Sequence, residues 1–357
     1  MPVGDCALAA GGRWCKVVSR GINIGMYRLA FASLALMGVA VPALAAEPGV
    51  AVGPGEVVSQ APAGAWRPIA PSDLLVMELA PDASGRARRV VIQLMPAPFS
   101  AGWVGNIRKL AAAHFWDGTS VYRVQDNYVA QWGDAEGDDP KLARPLPSGL
   151  AKVPQEDYVA AAPGEITASG LPLVYQATPA EPSPTTFHGR PVFRGIHPWE
   201  YATFWHGWPI SGEMNPHFSR AWPIHCYGSV GVARDLSPDT GTGAELYAVI
   251  GEAPRQLDRN IAVVGRVIEG MEFLSSLPRG PAPMGFYADK AQRVRIVSVR
   301  LGSEMADPPA FEYLDTEGAV FAAYVAARAN RRDPFFIVPA GGVDVCNVPV
   351  PVRRLGK

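Results

Sequence analysis

Apolar positions change their spacing along this chain, and each change marks an element. Residues 74–79 and 89–94 are nearly continuous apolar runs separated by the turn-forming stretch 81–85, which predicts a hairpin of two strands. From 100 to 115 the spacing lengthens: Trp103, Ile107, Leu110 and Ala111 recur at three to four positions, predicting an amphipathic helix with Ser100 as its N-cap. Gly118 follows Asp117, as suits a turn with positive φ. Residues 121–134 then read as two short strands. Val121, Tyr122, Val124, Tyr128 and Val129 bracket a polar turn of Gln125, Asp126 and Asn127.

The remaining pattern is less regular. Residues 47–72 are rich in Pro, Gly and Ala and predict an extended lead-in. Residues 135–225 hold many prolines, four tryptophans and five of the six histidines, with one strand expected at 171–175 and little other periodicity. So long an irregular segment is usually functional or folded onto its host, and its aromatic content opposes disorder. Leu314, Val320, Phe321, Tyr324 and Val325 predict a helix over 313–331, ended by cations at Arg331 and Arg332. A short strand is expected at 335–338, then an extended tail.

Composition narrows the function. With 357 residues and 48% hydrophobic content, the chain can bury a full core. A formal net charge of -1 and the lack of any basic block exclude nucleic acid and anionic membrane as natural partners. Residues 1–46 read as a signal peptide region: Arg28 precedes the apolar run 29–41, and Ala43, Leu44 and Ala45 supply the small-x-small pattern for cleavage. The run is shorter than the ~20 residues that cross a bilayer, so no membrane span is expected after cleavage. Met26 is a candidate alternative start. Cleavage removes four cations and one anion, leaving a mildly acidic product for the periplasm or the exterior. Cys226 and Cys346 remain, either as a disulfide or as two buried thiols. The histidines lack metal-ligand spacing, so no metal or other cofactor is expected.

Arg123 and Gln131 stand among apolar neighbours in 121–134, where a strand's outer face is ordinarily polar. The stretch, however, resembles the signature F-H-R-V-I-x-x-F-M-x-Q-G-G-D of the cyclophilin-type peptidyl-prolyl isomerases. Val104, Asn106 and Leu110 match the family's helix, and Trp116 to Thr119 resemble its Y-D-G-T turn. Residues 228–234 are similar to its G-x-x-S/G-M-A-R strand. Residues 238–247 correspond to N-x-N-G-S-Q-F-F, Leu257 and Asp258 to L-D, and 263–271 to V-F-G-R-V-x-E-G-M.

The resemblance implies a mainly β fold: a closed eight-stranded antiparallel barrel with capping helices over 73–302, closing with a strand at 294–301. A long irregular insertion would occupy 135–225, with a C-terminal helix and tail over 303–357. It implies an isomerase of X-Pro bonds in exported proteins, acting as a monomer on proline-containing polypeptide clients. Arg123 takes the catalytic role and Gln131 supports it. Tyr128, Val129, Tyr247 and Leu257 form the proline pocket, although Tyr, Val and Tyr replace the usual Phe, Met and Phe at 128, 129 and 247. Gln256 stands for a rim tryptophan and Ile261 for a pocket histidine, while Trp132 replaces a glycine where room for an indole is expected to be short. These departures favour the alternative of a weakly active binding or chaperone module for extended chains. The insertion begins beside the expected groove, so it either covers that groove or packs on the far side of the barrel. N-terminal sequencing of the exported protein is expected to find a mature start close to Ala46.

Overall fold

The apolar runs at 74–79 and 89–94 are nearly continuous because the sheet they form is covered on both faces. A computed structural model describes residues 52–163, 186–187, 190–191, 193–194, 200–214 and 218–356, all within the unit Pro48–Lys357. The expected signal segment, the strand at 171–175, and His188, His197 and His217 lie outside the described residues. The strands before the sheet of the insertion are β1 (Trp66–Ile69), β2 (Leu74–Leu79), β3 (Arg88–Leu94), β4 (Ser120–Val124) and β5 (Val129–Gly133). Next come β6 (Ala160–Ala161), β7 (Thr186–Phe187), β8 (Arg190–Pro191), β9 (Phe193–Arg194), β10 (Glu200–Trp205), β11 (Trp208–Met214) and β12 (Phe218–Pro223). The chain ends with β13 (Ser229–Val232), β14 (Leu246–Val249), β15 (Val263–Glu269), β16 (Val294–Leu301), β17 (Phe311–Leu314) and β18 (Val352–Arg354). Helices are α1 (Pro54–Ser59), α2 (Ala101–Ala112), α3 (Glu272–Ser275) and α4 (Ala319–Ala329).

Eight strands close a barrel in the order β13-β14-β5-β4-β16-β2-β3-β15, as the resemblance implies. Alternation divides β2 between two layers: Leu75, Met77 and Leu79 fill the barrel, while Leu74 and Val76 join Ile69, Val91 and Phe311 beneath the β1-β17-β18 sheet. Helix α2 covers the core with Trp103, Ile107 and Leu110, each fully buried and each contributing about 1.5–3 kcal/mol. Its N-cap is Ser100, as expected, but in the left-handed region at φ 51 and without a side-chain cap bond.

Several expectations need correction. The lead-in is not simply extended, since it forms α1 and β1, and β1 pairs Trp66 with Leu314 and Ile69 with Phe311. That same pairing takes 311–314 into β17, so the C-terminal helix starts only at Ala319. No strand forms at 335–338, where Ile337 is 97% exposed: an apolar run without a partner edge has no ladder to join. The insertion is not irregular either. It carries a five-stranded sheet, β6-β12-β11-β10-β9, whose central hairpin turns at His206 and Gly207 with φ of 45° and 84°. Both positive φ values suit a type I′ turn, and a Cβ at Gly207 would meet the Tyr313 ring at 2.6 Å.

The sheet is wedged between barrel and tail. Trp205 meets Phe99 edge-on at 5.3 Å, and Trp208, Ile210 and Ala221 continue the barrel core. Phe204 packs on Phe321 of α4 at 4.9 Å. Cys226 is bonded to Cys346, 120 residues away, which ties the tail to the start of β13. Among the described residues no helix is long and apolar enough to cross a membrane. Closing so long a loop restricts the unfolded chain, so replacing both cysteines with serine is expected to lower stability by about 2–5 kcal/mol in denaturant unfolding. An unchanged midpoint would show that the bond adds nothing.

Candidate active site

The β4–β5 pair contains one extra residue. Val121 faces Trp132 and Val124 faces Ala130, but Arg123 faces Gln131, which leaves Tyr122 without its own partner. This bulge turns both Tyr122 and Arg123 to the side of Gln131, while Val121, Val124, Ala130 and Trp132 remain in the barrel core. Gln131 is thus held from both sides: its Oε1 accepts from Arg123 Nη1 at 2.9 Å and its Nε2 donates to Tyr122 Oη at 2.7 Å.

Further acceptors aim the guanidinium. Arg123 Nε donates to the Met284 carbonyl at 2.7 Å, and Nη2 donates to Gln125 Oε1 at 2.6 Å. Of its five N–H donors, three are committed in these bonds, leaving two for another acceptor. The Phe286 and Tyr128 rings lie 5.1 and 5.9 Å from its centre. Burial lowers the pKa of Arg123, with Tyr128, Tyr122 and Tyr247 opposing that shift, but a guanidinium keeps its charge throughout the working range.

Beside this fork lies an apolar cluster, which Tyr128 joins to Arg123. Val129, Tyr247 and Val249 are buried, and Tyr128, Ala233, Leu257 and Ile261 pack partly exposed against them. Five of the expected pocket residues therefore come together. Gln256, next to Leu257, is exposed, and its backbone carbonyl accepts from Asn260 Nδ2. A separate cavity of about 250 Å³, lined by Phe204, Trp208, Cys226 and Arg266, shares no residue with this site.

The family model for "Cyclophilin type peptidyl-prolyl cis-trans isomerase/CLD" matches residues 86–301, more than half of the chain. The chain belongs to the cyclophilin family. No curated protein matches. Among solved structures, cyclophilin AquaCyp293 from Hirschia baltica is similar at 22% identity and a TM-score of 0.57, covering 81% of this chain and 93% of its own. The domain is a peptidyl-prolyl cis-trans isomerase domain.

This cyclophilin resolves its departures by tertiary packing. Trp132 does not crowd the pocket, because it points into the barrel opposite Val121 and Leu246 and is 1% exposed. The Tyr247 hydroxyl, absent from a Phe, is satisfied by fully buried His225. His225 Nε2 lies 3.0 Å from Tyr247 Oη, and Nδ1 lies 2.9 Å from Asp258 Oδ1. The tautomer with Nδ1–H donates to the carboxylate and accepts from Tyr247. Asp258 also accepts from the His225 backbone N–H at 2.9 Å and from Arg255 Nε at 2.6 Å. Burial, helped by Tyr128 and Asp258, holds the Tyr247 phenol well above its ordinary pKa.

Sequence reasoning missed Tyr122, Gln125, Glu245, His225, Met284 and Phe286. An acid set between Ala244 and Leu246 was the one local signal for Glu245; the others are recruited by the fold. One corner of the described insertion reaches the pocket loop. There Arg259 lies over Trp222 at 4.7 Å and 3.8 Å from Glu213. His225→Ala is expected to cost about 2–4 kcal/mol in denaturant unfolding, because it leaves Asp258 and Tyr247 with unmet buried groups. Weaker binding of a prolyl peptide should accompany that loss.

Proposed function

We propose that this cyclophilin isomerises X-Pro bonds in exported polypeptides and so assists their folding. Amide resonance sets a barrier of roughly 18–20 kcal/mol, and a catalyst needs only to bind the twisted amide better than the planar one. As conjugation is lost, the prolyl nitrogen regains a lone pair. A fixed cationic donor aimed at it stabilises that state preferentially. Arg123 has the required form: three bonds hold the fork in place and two N–H groups remain, next to an apolar cluster whose Tyr128, Leu257 and Ile261 are partly exposed. That juxtaposition carries the reading. Gln131 holds the fork and offers polar contact to the substrate backbone, while Tyr128, Val129, Tyr247, Leu257 and Ile261 receive the ring. Gln256, exposed beside Leu257, takes the rim.

Export is supported by the cleavage-like pattern at 43–45 and by the Cys226–Cys346 bond, which belongs in an oxidising compartment. A second reading, an extended-chain binder of low activity, is favoured by the apolar surface beside the fork, where Met284 is 49% and Phe286 43% exposed.

Arg123→Ala is expected to lower kcat/KM on a short prolyl peptide by about a hundredfold, with the fold intact by circular dichroism. Undiminished catalysis by the variant would exclude this mechanism. Peptide binding without measurable turnover in the wild type would favour the binder.

A further inference from the structure

The hydrogen bonds behind Arg123 do not stop at Gln131. A guanidinium only donates, so Gln131 must turn Oε1 toward Arg123, and its Nε2 therefore faces Tyr122. Tyr122 Oη accepts that bond and has a single hydrogen to give, which goes to Glu245 Oε2 at 2.7 Å. Glu245 Oε1 in turn accepts from the Asp134 backbone N–H at 2.7 Å. Every donor in the relay points toward Glu245, whose carboxyl packs so closely over Gly133 that a Cβ there would overlap it. A proton on Oε1 would oppose the Asp134 N–H, and one on Oε2 would oppose the Tyr122 hydroxyl. Protonation at either oxygen thus weakens the acceptor of a half-buried donor.

We propose that Glu245 is a positioning residue of the isomerase site, which fixes the Arg123 fork through Gln131 and Tyr122 and does so fully only as a carboxylate. The proposal rests on the isomerase reading of Arg123. The groups facing Glu245 are Tyr122 from β4, Asp134 from the end of β5, and Asp138 beyond it, and among the described residues Glu245 forms no ion pair. Burial raises its pKa to about 8, aided by Asp134 and Asp138 and opposed by the two hydrogen bonds. Between the ordinary value of 4.5 and about 8, the folded state keeps a proton that the unfolded chain has lost. Stability therefore falls as pH rises through that window, whereas the relay becomes complete only above it.

The test is kcat/KM of the full chain on an uncharged prolyl peptide, followed by exchange NMR from about pH 6 to about pH 9.5. Wild type is expected to rise about fivefold with a midpoint near pH 8, and the rise should be absent in Glu245→Gln and in Tyr122→Phe. The Arg123 Nε resonance should move over the same range in wild type and stay still in Tyr122→Phe. Active wild type with a flat profile, or a rise that persists in either variant, overturns the proposal. Wild type inactive at every pH defeats the isomerase reading instead. The resonance then decides: movement lost in Tyr122→Phe upholds the positioning role, and no movement in wild type refutes it.

Discussion

One extra residue in β4, Tyr122, puts two side chains on the same side of Gln131, and the hydrogen bonds of the site follow from that placement. Without the bulge, strict alternation would send Val121 and Arg123 to one face and Tyr122 and Val124 to the other. Either the barrel would lose an apolar residue or the fork would lose a partner. With the bulge, Val121 and Val124 both fill the core and Gln131 is gripped between an arginine and a tyrosine. The 284–287 segment then lies along β4: Gly285 C=O accepts from Val124 N–H, and Tyr287 N–H donates to Tyr122 C=O. This brings the Met284 carbonyl and the Phe286 ring to the guanidinium.

Two buried polar relays run behind the site, and each ends on a carboxylate. One passes from Tyr247 through His225 to Asp258, which is neutralised by Arg255 and by a backbone N–H. The other passes from Arg123 through Gln131 and Tyr122 to Glu245, which accepts from Tyr122 and the Asp134 N–H and has no cation beside it among the described residues. Glu245 is held only by dipoles, and burial raises its pKa. The first relay accordingly fixes a pocket wall, while the second retains a titratable end.

The insertion and the tail act together as a buttress. The sheet of β6 and β9–β12 shares core with the barrel through Trp205 and Trp208 and with α4 through Phe204, and the Cys226–Cys346 bond joins the two. His225 sits next to that bond and beneath Tyr247, so the end of the insertion is also part of the pocket's support. Covalent, apolar and polar connections thus converge within a few residues.

The barrel hairpins, α2 and the family signature were legible in the sequence because they rest on local spacing: alternation near 121–134, three-to-four spacing after Ser100, and motifs in the order of the fold. Arg123 and Gln131 stood out through the resemblance of that stretch to the family signature, since their spacing alone fitted an ordinary polar strand face. The bulge was not legible, since an added residue in a short apolar stretch leaves composition unchanged and shows only in the register with β5. The same holds for β17, which claimed residues that read as helix because β1 offered it an edge, and for 335–338, which read as strand but found none. Trp132 looked obstructive only while its facing direction was unknown. Local chemistry determined which residues could act, but strand register and long-range pairing decided which of them meet. Those depend on partners more than a hundred positions away, as Tyr122 and Glu245 are, and no local period encodes them.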